Sequence, residues 1–557
     1  MIGNGSGVLD PGAEDGPHTI GRWLLDRAVR SPARVAIDDR GVTTDYAALA
    51  ARSADLAEAL QCAGFGPGDR IATVSGNSTD HVVAFFACAL AGVAFVPLSW
   101  RLTPHELSDL LFRSEPSLVL IDDEHAALAA EALRVLADRG TGGRLGGMPQ
   151  LAALGTTGVE AGPPPREASP DRRTVDGGSD APPRMRRAVR DDDALLIIYT
   201  SGSEAAPKGV VLTHANCFWN NLALAQALPL TQDDVVLAML PQFHVAAWNC
   251  QPLLAWWTGA TVVLERSFQP TRALRLIADR GVTAMMGVPT QYALLAADRG
   301  WEATDVSSLR LALVGGATMP EAVQAAWTAR GVPLTQGYGL TEAGPNVLHL
   351  PAGGTASAPG AVGRPYPHVS VRVVDPESGL VLEGEASGEL WVRGPSVFAG
   401  YLGDDAATAR ATTDDWLRTG DLVARDADGV FRVVDRLKDI FISGGENVAP
   451  AEVEHALAQH PLVESAAVVG VPDAVWGERG VAFVVREAGA ALSADELLAH
   501  ARRNLAAFKV PVQVEFVEAL PRSTIEKLAR SRLRERARAL TARGSAEPHP
   551  TTKEMPR

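Results

Sequence analysis

Four apolar runs between residues 194 and 335 each end in a loop of small or polar residues, and this repeat constrains the fold more than any other feature. Ala194–Ile198 leads into Tyr199-Thr200-Ser201-Gly202-Ser203, and Val235–Leu240 leads into Pro241-Gln242-Phe243-His244. Leu309–Val314 leads into Gly315-Gly316-Ala317, and Pro333–Thr335 into Gly337-Tyr338-Gly339-Leu340-Thr341-Glu342. Helix-like segments separate the runs. Strands alternating with helices make a largely parallel sheet. In such sheets, ligands bind beyond the carboxyl ends of the strands. All four polar loops fall at those ends, so one site can collect them.

The flanking regions extend the same texture. A helix over Ala47–Leu60, a strand over Arg70–Val74 and a helix over Val82–Ala91 are expected, with a further helix starting at Thr103. There Thr103 can cap, Pro104 fits the first turn, and Glu106 completes a capping box. From 140 to 190 the pattern dissolves into Gly, Pro, Arg and Asp, which predicts a flexible insertion. After about Ala361 the strands become shorter and more polar: Ser370–Val374, Glu389–Val392 and Val430–Val434. A further α/β unit follows, with Ala466–Val471, Val481–Val485 and Val514–Val517 as strands. The expected fold class is α/β. A large N-terminal domain of stacked α/β sheets with a small β-subdomain spans 1–437. A small mobile C-terminal α+β domain spans 438–540, and a disordered tail spans 541–557.

Composition removes several function classes. The formal net charge of −15 disfavours nucleic acid as a partner, since phosphate binding needs a basic face. The arginine runs at 184–190 and 530–538 therefore read as solvated surface. Cys62, Cys88, Cys217 and Cys250 lack metal-ligand spacing and are expected to be reduced, buried thiols. The N-terminus has no basic-then-apolar pattern, so no signal peptide is expected, and the location expected is cytoplasmic. The longest apolar stretch, Val82–Leu98, is broken by Gly92 and reads as helix into strand, not as a membrane span.

The segment Tyr199 to Gly209 is a strand feeding a loop with hydroxyls, a glycine and Lys208. Backbone N–H groups and hydroxyls in such a loop cradle phosphate oxygens, and a lysine adds charge. It lacks the spacing of a Walker loop. The segment resembles the phosphate loop of the adenylate-forming superfamily, which holds acyl- and aryl-CoA synthetases, luciferases and peptide-synthetase adenylation domains. Five further segments resemble that family's motifs in order: Gly337 to Glu342, Thr419-Gly420-Asp421, Asp435 to Asp439, Gly444-Gly445-Glu446-Asn447, and Pro521-Arg522-Ser523 to Lys527. The match runs from about residue 20 to 540 and is closest to fatty-acid and aryl-acid CoA ligases.

The resemblance implies activation of a carboxylic acid by ATP as its acyl-adenylate, with pyrophosphate release. Transfer to coenzyme A then gives acyl-CoA and AMP. Bringing a carboxylate to the α-phosphate sets anion against anion, so the site must neutralise charge and hold the reactants in line. By the resemblance, Lys527 reaches the α-phosphate and the carboxylate together, Thr341 donates to the α-phosphate, and Glu342 binds Mg²⁺. Thr200, Ser201, Gly202, Ser203 and Lys208 hold the phosphates. Gly315, Gly316, Ala317, Gly337, Tyr338 and Gly339 receive adenine, with Tyr338 offering a flat face. Asp421 and Arg436 hold the ribose. His244 adjoins the reacting carboxyl group, and Trp248, Asn249, Met286, Pro345 and Asn346 flank the acid's tail. Lys438 is the hinge about which the small domain turns between half-reactions, and Gly444, Gly445 and Glu446 line a tunnel for the CoA arm.

Two departures stand out. Ser203-Glu204-Ala205 replaces the usual hydroxyl–hydroxyl–glycine, and Glu526 stands where glycine is usual. Alanine at a positive-φ position costs about 1 kcal/mol. A carboxylate beside triphosphate costs roughly 1 to 4 kcal/mol, so Glu204 must point to solvent, pair with a cation or help with Mg²⁺. Two other readings remain open at this level. One keeps adenylation but changes the acceptor to a carrier protein, an amine or a nitrite-derived group. The other is a non-catalytic nucleotide- or acyl-binding sensor. Homodimers occur in the family, but no interface signature is visible in the sequence.

Overall fold

The computed structural model describes residues 15–139, 148–155, 188–200, 207–316, 319, 321–352, 360–376, 378–436, 441–448, 450–487, 489–521 and 530–544. Two compact units divide at Asp435/Arg436.

In the larger unit, one sheet runs through parallel strands in the order Leu334–Tyr338, Leu311–Val314, Ala284–Gly287, Val235–Ala238, Thr261–Leu264 and Val35–Asp39. The strands before three of the four predicted polar loops, Val235–Ala238, Leu311–Val314 and Leu334–Tyr338, lie in this sheet, and the fourth, Ala194–Thr200, lies in the second. Beyond Leu334–Tyr338 the sheet turns antiparallel, through Leu348–Leu350 and Ala361–Pro365 to Phe431–Arg436. It continues through Trp416–Arg425, Ala386–Arg393 and Ser370–Val374, the expected β-subdomain. The second sheet orders Lys208–Thr213, Ala194–Thr200, Ala94–Leu98, Arg70–Val74, Leu118–Ile121 and Gln150–Ala153. Only its first pair is antiparallel among these. Leu195, Leu196, Ile197 and Ile198 are all buried, as in a strand covered on both faces.

Local signals set the helix ends. The helix Thr79–Ala91 begins where Ser78 Oγ accepts from His81 N at 3.2 Å and stops at Gly92, whose φ of +72° suits glycine. Its Phe85 and Phe86 are buried in the main core, and each fully buried aromatic contributes roughly 2–3 kcal/mol by area. The helix Pro104–Ser114 carries the predicted capping box, with Thr103 and Glu106 bonded reciprocally.

The smaller unit is α+β. Its sheet orders Glu446–Val448, Phe441–Ser443, Gly477–Arg486 and Val463–Asp473, with Gln513–Phe516 added parallel to Gly477–Arg486. The helices Pro450–Ala458 and Ala494–Asn504 contribute Val453, Leu457 and Leu497 to its core.

Three local expectations differ from the structure. Residues 150–153, inside the segment read as an insertion, pair as a strand with Leu118–Ile121, because Leu151 and Ala153 need only an edge position. The helix Arg530–Gly544 runs past residue 540 into the stretch read as tail; Leu533 and Ala537 bury its inner face. Cys62 is exposed at the last turn of Tyr46–Cys62, whereas Cys88, Cys217 and Cys250 are buried. No described helix is long and apolar enough to cross a membrane.

Candidate active site

The turn between the strands Leu334–Tyr338 and Leu348–Leu350 holds Thr341 and Glu342 in a single 3-10 turn, Thr341–Ala343. Val347 N closes the base of the turn on Tyr338 O at 3.1 Å. A Cβ on Gly339 would lie 1.4 Å from Pro345 O, so only glycine permits this path. Gly344, at φ +94°, passes 2.8 Å from Ser396 O by the same construction.

Charge and hydroxyl groups gather on either side of that turn. Tyr401 donates to Glu342 Oε1 at 2.9 Å, and Phe398 N donates to Glu342 O at 2.8 Å. Lys208 Nζ lies 5.2 Å from the Tyr401 ring centroid. The short strand Gly400–Tyr401 pairs with Lys208–Thr213, and Thr200 pairs with Lys208. The stem of the predicted phosphate loop and the predicted metal carboxylate are thus tied through Tyr401, which sequence reasoning missed. Burial raises the Tyr199 hydroxyl well above its usual pKa, so it stays protonated at the strand end entering the loop.

On the other side, Tyr338 donates to Asp421 Oδ2 at 2.6 Å. Asp421 is 4% exposed on Trp416–Arg425, and its N–H donates to Thr419 Oγ1 at 3.1 Å. Gly315 packs its α-carbon against Met286: an added Cβ would sit 2.8 Å from Met286 Cε. Gly316 follows the strand Leu311–Val314 by two residues, and Gly337 is the penultimate residue of Leu334–Tyr338.

Around the expected acid, the residues divide. Met286 borders a small hollow formed with Leu237, Met239, Leu240, Gln242 and Ala246 at the ends of neighbouring strands. His244 is half-buried in the loop after Val235–Ala238, its ring 4.7 Å from that of Phe243. Trp248 does not border the hollow. It is 0% exposed, stacks on Phe85 at 4.4 Å and donates from Nε1 to Gln242 O at 2.7 Å. Asn249 and Asn346 are also buried, joined with Asn220 and Asn221 in one network. Asn220 Oδ1 accepts from Asn346 N and Nδ2 at 3.2 and 3.1 Å. Asn249 Nδ2 donates to Gly344 O at 3.2 Å, and Asn346 Nδ2 donates to Asn249 O at 3.0 Å. These amides anchor the Thr341–Glu342 turn from below.

The loop carrying His244 is fixed to the second sheet. His81 Nδ1 and Gln242 Oε1 are 2.9 Å apart, and His81 Nε2 and Thr73 Oγ1 are 2.7 Å apart. Burial lowers the His81 pKa to about 4, so the ring is neutral, with Nδ1 donating to the amide oxygen.

In the smaller unit, Gly444 and Gly445 take φ of +61° and +83° between two strands, beside buried Glu446. Gly444 N donates to Trp476 O at 2.8 Å, and a Cβ on Gly444 would meet the Trp476 ring at 2.6 Å. Ser201, Gly202, Ser203, Glu204, Ala205, Ala317, Lys438, Glu526 and Lys527 lie outside the described residues. Arg436 ends the strand Phe431–Arg436.

The family model "AMP-binding enzyme" matches residues 24–402, and "AMP-binding enzyme C-terminal domain" matches residues 452–527. The chain is 40% identical over 517 residues to a feruloyl-CoA synthase from Amycolatopsis sp, covering 93% of this chain and 99% of that protein. It is 34% identical to an indoleacetate–CoA ligase from Aromatoleum aromaticum, covering 93% and 98%. Among solved structures, it is similar to the o-succinylbenzoate CoA synthetase of Bacillus subtilis, with a TM-score of 0.79, 30% identity and coverage of 92% and 98%. An amide bond synthetase from Marinactinospora thermotolerans gives a TM-score of 0.80 at 29% identity, covering 93% and 99%.

Proposed function

The chain belongs to the AMP-binding enzyme family, and from that premise we propose which acid it takes and which residues act on it. It is an acid–CoA ligase: ATP activates a carboxylic acid, and the acyl group passes to coenzyme A. The acid we assign is an aryl-substituted one, because the feruloyl and indoleacetate enzymes are relatives across nearly the whole chain.

One observation supports the residue roles above all. Glu342, Tyr401 and Lys208 converge on one side of a glycine-framed turn, and the Tyr338–Asp421 pair stands on the other. In our reading, Asp421 holds the ribose hydroxyls and Tyr338 lies along adenine. Thr200 to Lys208 wraps the phosphates. The acid's carboxylate attacks the α-phosphate, the bond to the β-phosphate breaks, and pyrophosphate leaves. Thr341 and Lys527 donate to the oxygens that gain charge in that step. The CoA thiolate then attacks the acyl carbonyl and AMP departs, with Gly444 and Gly445 leaving room for the thin pantetheine arm. Lys438 is the pivot between the two steps. Glu342 suits Mg²⁺, which needs one protein carboxylate and fills its shell with water and phosphate oxygens. A cytoplasmic location, where ATP and CoA are supplied, and a homodimer complete the proposal.

The test is mass spectrometry of products from enzyme, Mg²⁺-ATP and a panel of aryl and fatty acids, with and without CoA. Aryl-CoA with AMP and pyrophosphate is expected. A panel turned over only as fatty acyl-CoA would overturn the aryl assignment. Adenylate made equally with and without CoA, and no thioester, would overturn the acceptor.

A further inference from the structure

The hollow beside Met286 has walls of carbon and two polar side chains, Gln242 and Gln251. Gln242 is committed, because its Oε1 is the partner of His81 Nδ1 at 2.9 Å. Gln251 is different. It is 4% exposed at the start of the helix Pro252–Thr258, and its Oε1 is buried with no hydrogen-bond partner among the described residues. A buried carbonyl oxygen without a donor is costly, and native structures keep few of them without a reason. Its backbone is well used: Gln251 O accepts from Ala255 N at 2.8 Å. The side-chain oxygen is left over, in a residue that lines a hollow walled by Leu240, Ala246, Leu264 and Met286.

We propose that Gln251 is a specificity-determining residue that accepts a hydrogen bond from a donor group on the acid's tail, so that the enzyme selects aryl acids bearing a hydroxyl or ring N–H. This rests on the aryl-acid reading above and deepens it. An acceptor in an apolar hollow discriminates strongly, because an acid without the donor leaves the oxygen unpaired while displacing any water that served it. The hollow is about 10 Å³, room for a donor group of a water's size and not for the ring, and its carbon walls cannot tell a hydroxyl from a hydrogen.

The experiment compares kcat/KM for pyrophosphate release by the full chain with cinnamate, its 2-, 3- and 4-hydroxy derivatives, indole-3-acetate and 1-naphthaleneacetate. Wild type is expected to prefer at least one donor-bearing acid over its donor-free counterpart by about tenfold or more. Gln251→Leu should erase that preference by raising KM for the donor-bearing acid, with kcat and the donor-free acid nearly unchanged. Gln251→Met, closer in shape, should do the same and serves if the leucine variant fails to fold. A preference that survives either folded variant, or a wild type indifferent to the donor, overturns the proposal while leaving aryl-acid activation standing. Absence of activity with every aryl acid, alongside turnover of fatty acids, overturns the aryl reading and this inference with it.

Discussion

Replacing His81 by leucine tests how the loop bearing His244 is held. The ring joins Thr73 to Gln242 and is neutral because burial lowers its pKa from 6.5 to about 4. The unfolded chain therefore takes up the proton first as pH falls. The resulting stability is fully present above pH 6.5 and drains away through the window from 6.5 to 4. Between pH 7.5 and pH 5 the ring's linkage removes about 2 kcal/mol from wild type. His81→Leu should be less stable by about 1–3 kcal/mol at pH 7.5, since Thr73 and Gln242 lose a buried partner. It should then lose about 2 kcal/mol less than wild type on going to pH 5. His214, also lowered to about 4 by burial, is common to both chains and cancels in the difference. Urea unfolding followed by tryptophan fluorescence at a series of pH values measures this, and Trp248 lies near the ring. Parallel pH profiles for the two chains would refute the argument that a buried neutral His81 carries this linkage.

Three further substitutions probe the site. Gly339→Ala places a methyl against the Pro345 carbonyl, which is backbone and cannot swing aside. Adenylation measured by pyrophosphate release should fall at least about a hundredfold, for an overpacking cost of roughly 3 kcal/mol. Tyr338→Phe removes the 2.6 Å bond to Asp421. It should raise KM for ATP about fivefold with little change in kcat, as expected for roughly 1 kcal/mol of ground-state binding. Lys527→Ala should nearly abolish adenylation yet spare thioester formation from supplied acyl-adenylate; normal pyrophosphate release would remove Lys527 from its proposed role.

Much of the frame was legible because parallel strands announce themselves twice, by a short apolar run and by the polar loop that follows it. The run Ala194–Ile198, Tyr338 beside Gly339, and the Thr103 cap all act over a few residues, and all appear where read. What stayed hidden depends on partners far along the chain. Tyr401 reaches Glu342 across 59 residues, and Asn220 reaches Asn346 across 126. No local spacing encodes either. Trp248 was expected beside the acid because tryptophan suits an aromatic ligand, but its indole N–H is satisfied by Gln242 O and its ring by Phe85. An isolated tryptophan in a sequence carries no sign of which neighbour will claim it. Gln251 was passed over for the opposite reason: only coordinates reveal that an ordinary amide has been left without a donor.

The buried asparagine network has a consequence for how such an enzyme changes its diet. Asn220, Asn249 and Asn346 secure the Thr341–Glu342 turn by amide hydrogen bonds, while the hollow beside Met286 is walled by separate side chains such as Leu240 and Ala246. If the hollow takes the acid's tail as proposed, selection can rework its walls, enlarging or narrowing them for a new acid, without disturbing the anchor of the turn to which the chemistry is assigned. Mutational tolerance should follow the same division, with wide latitude along the hollow and almost none among the asparagines.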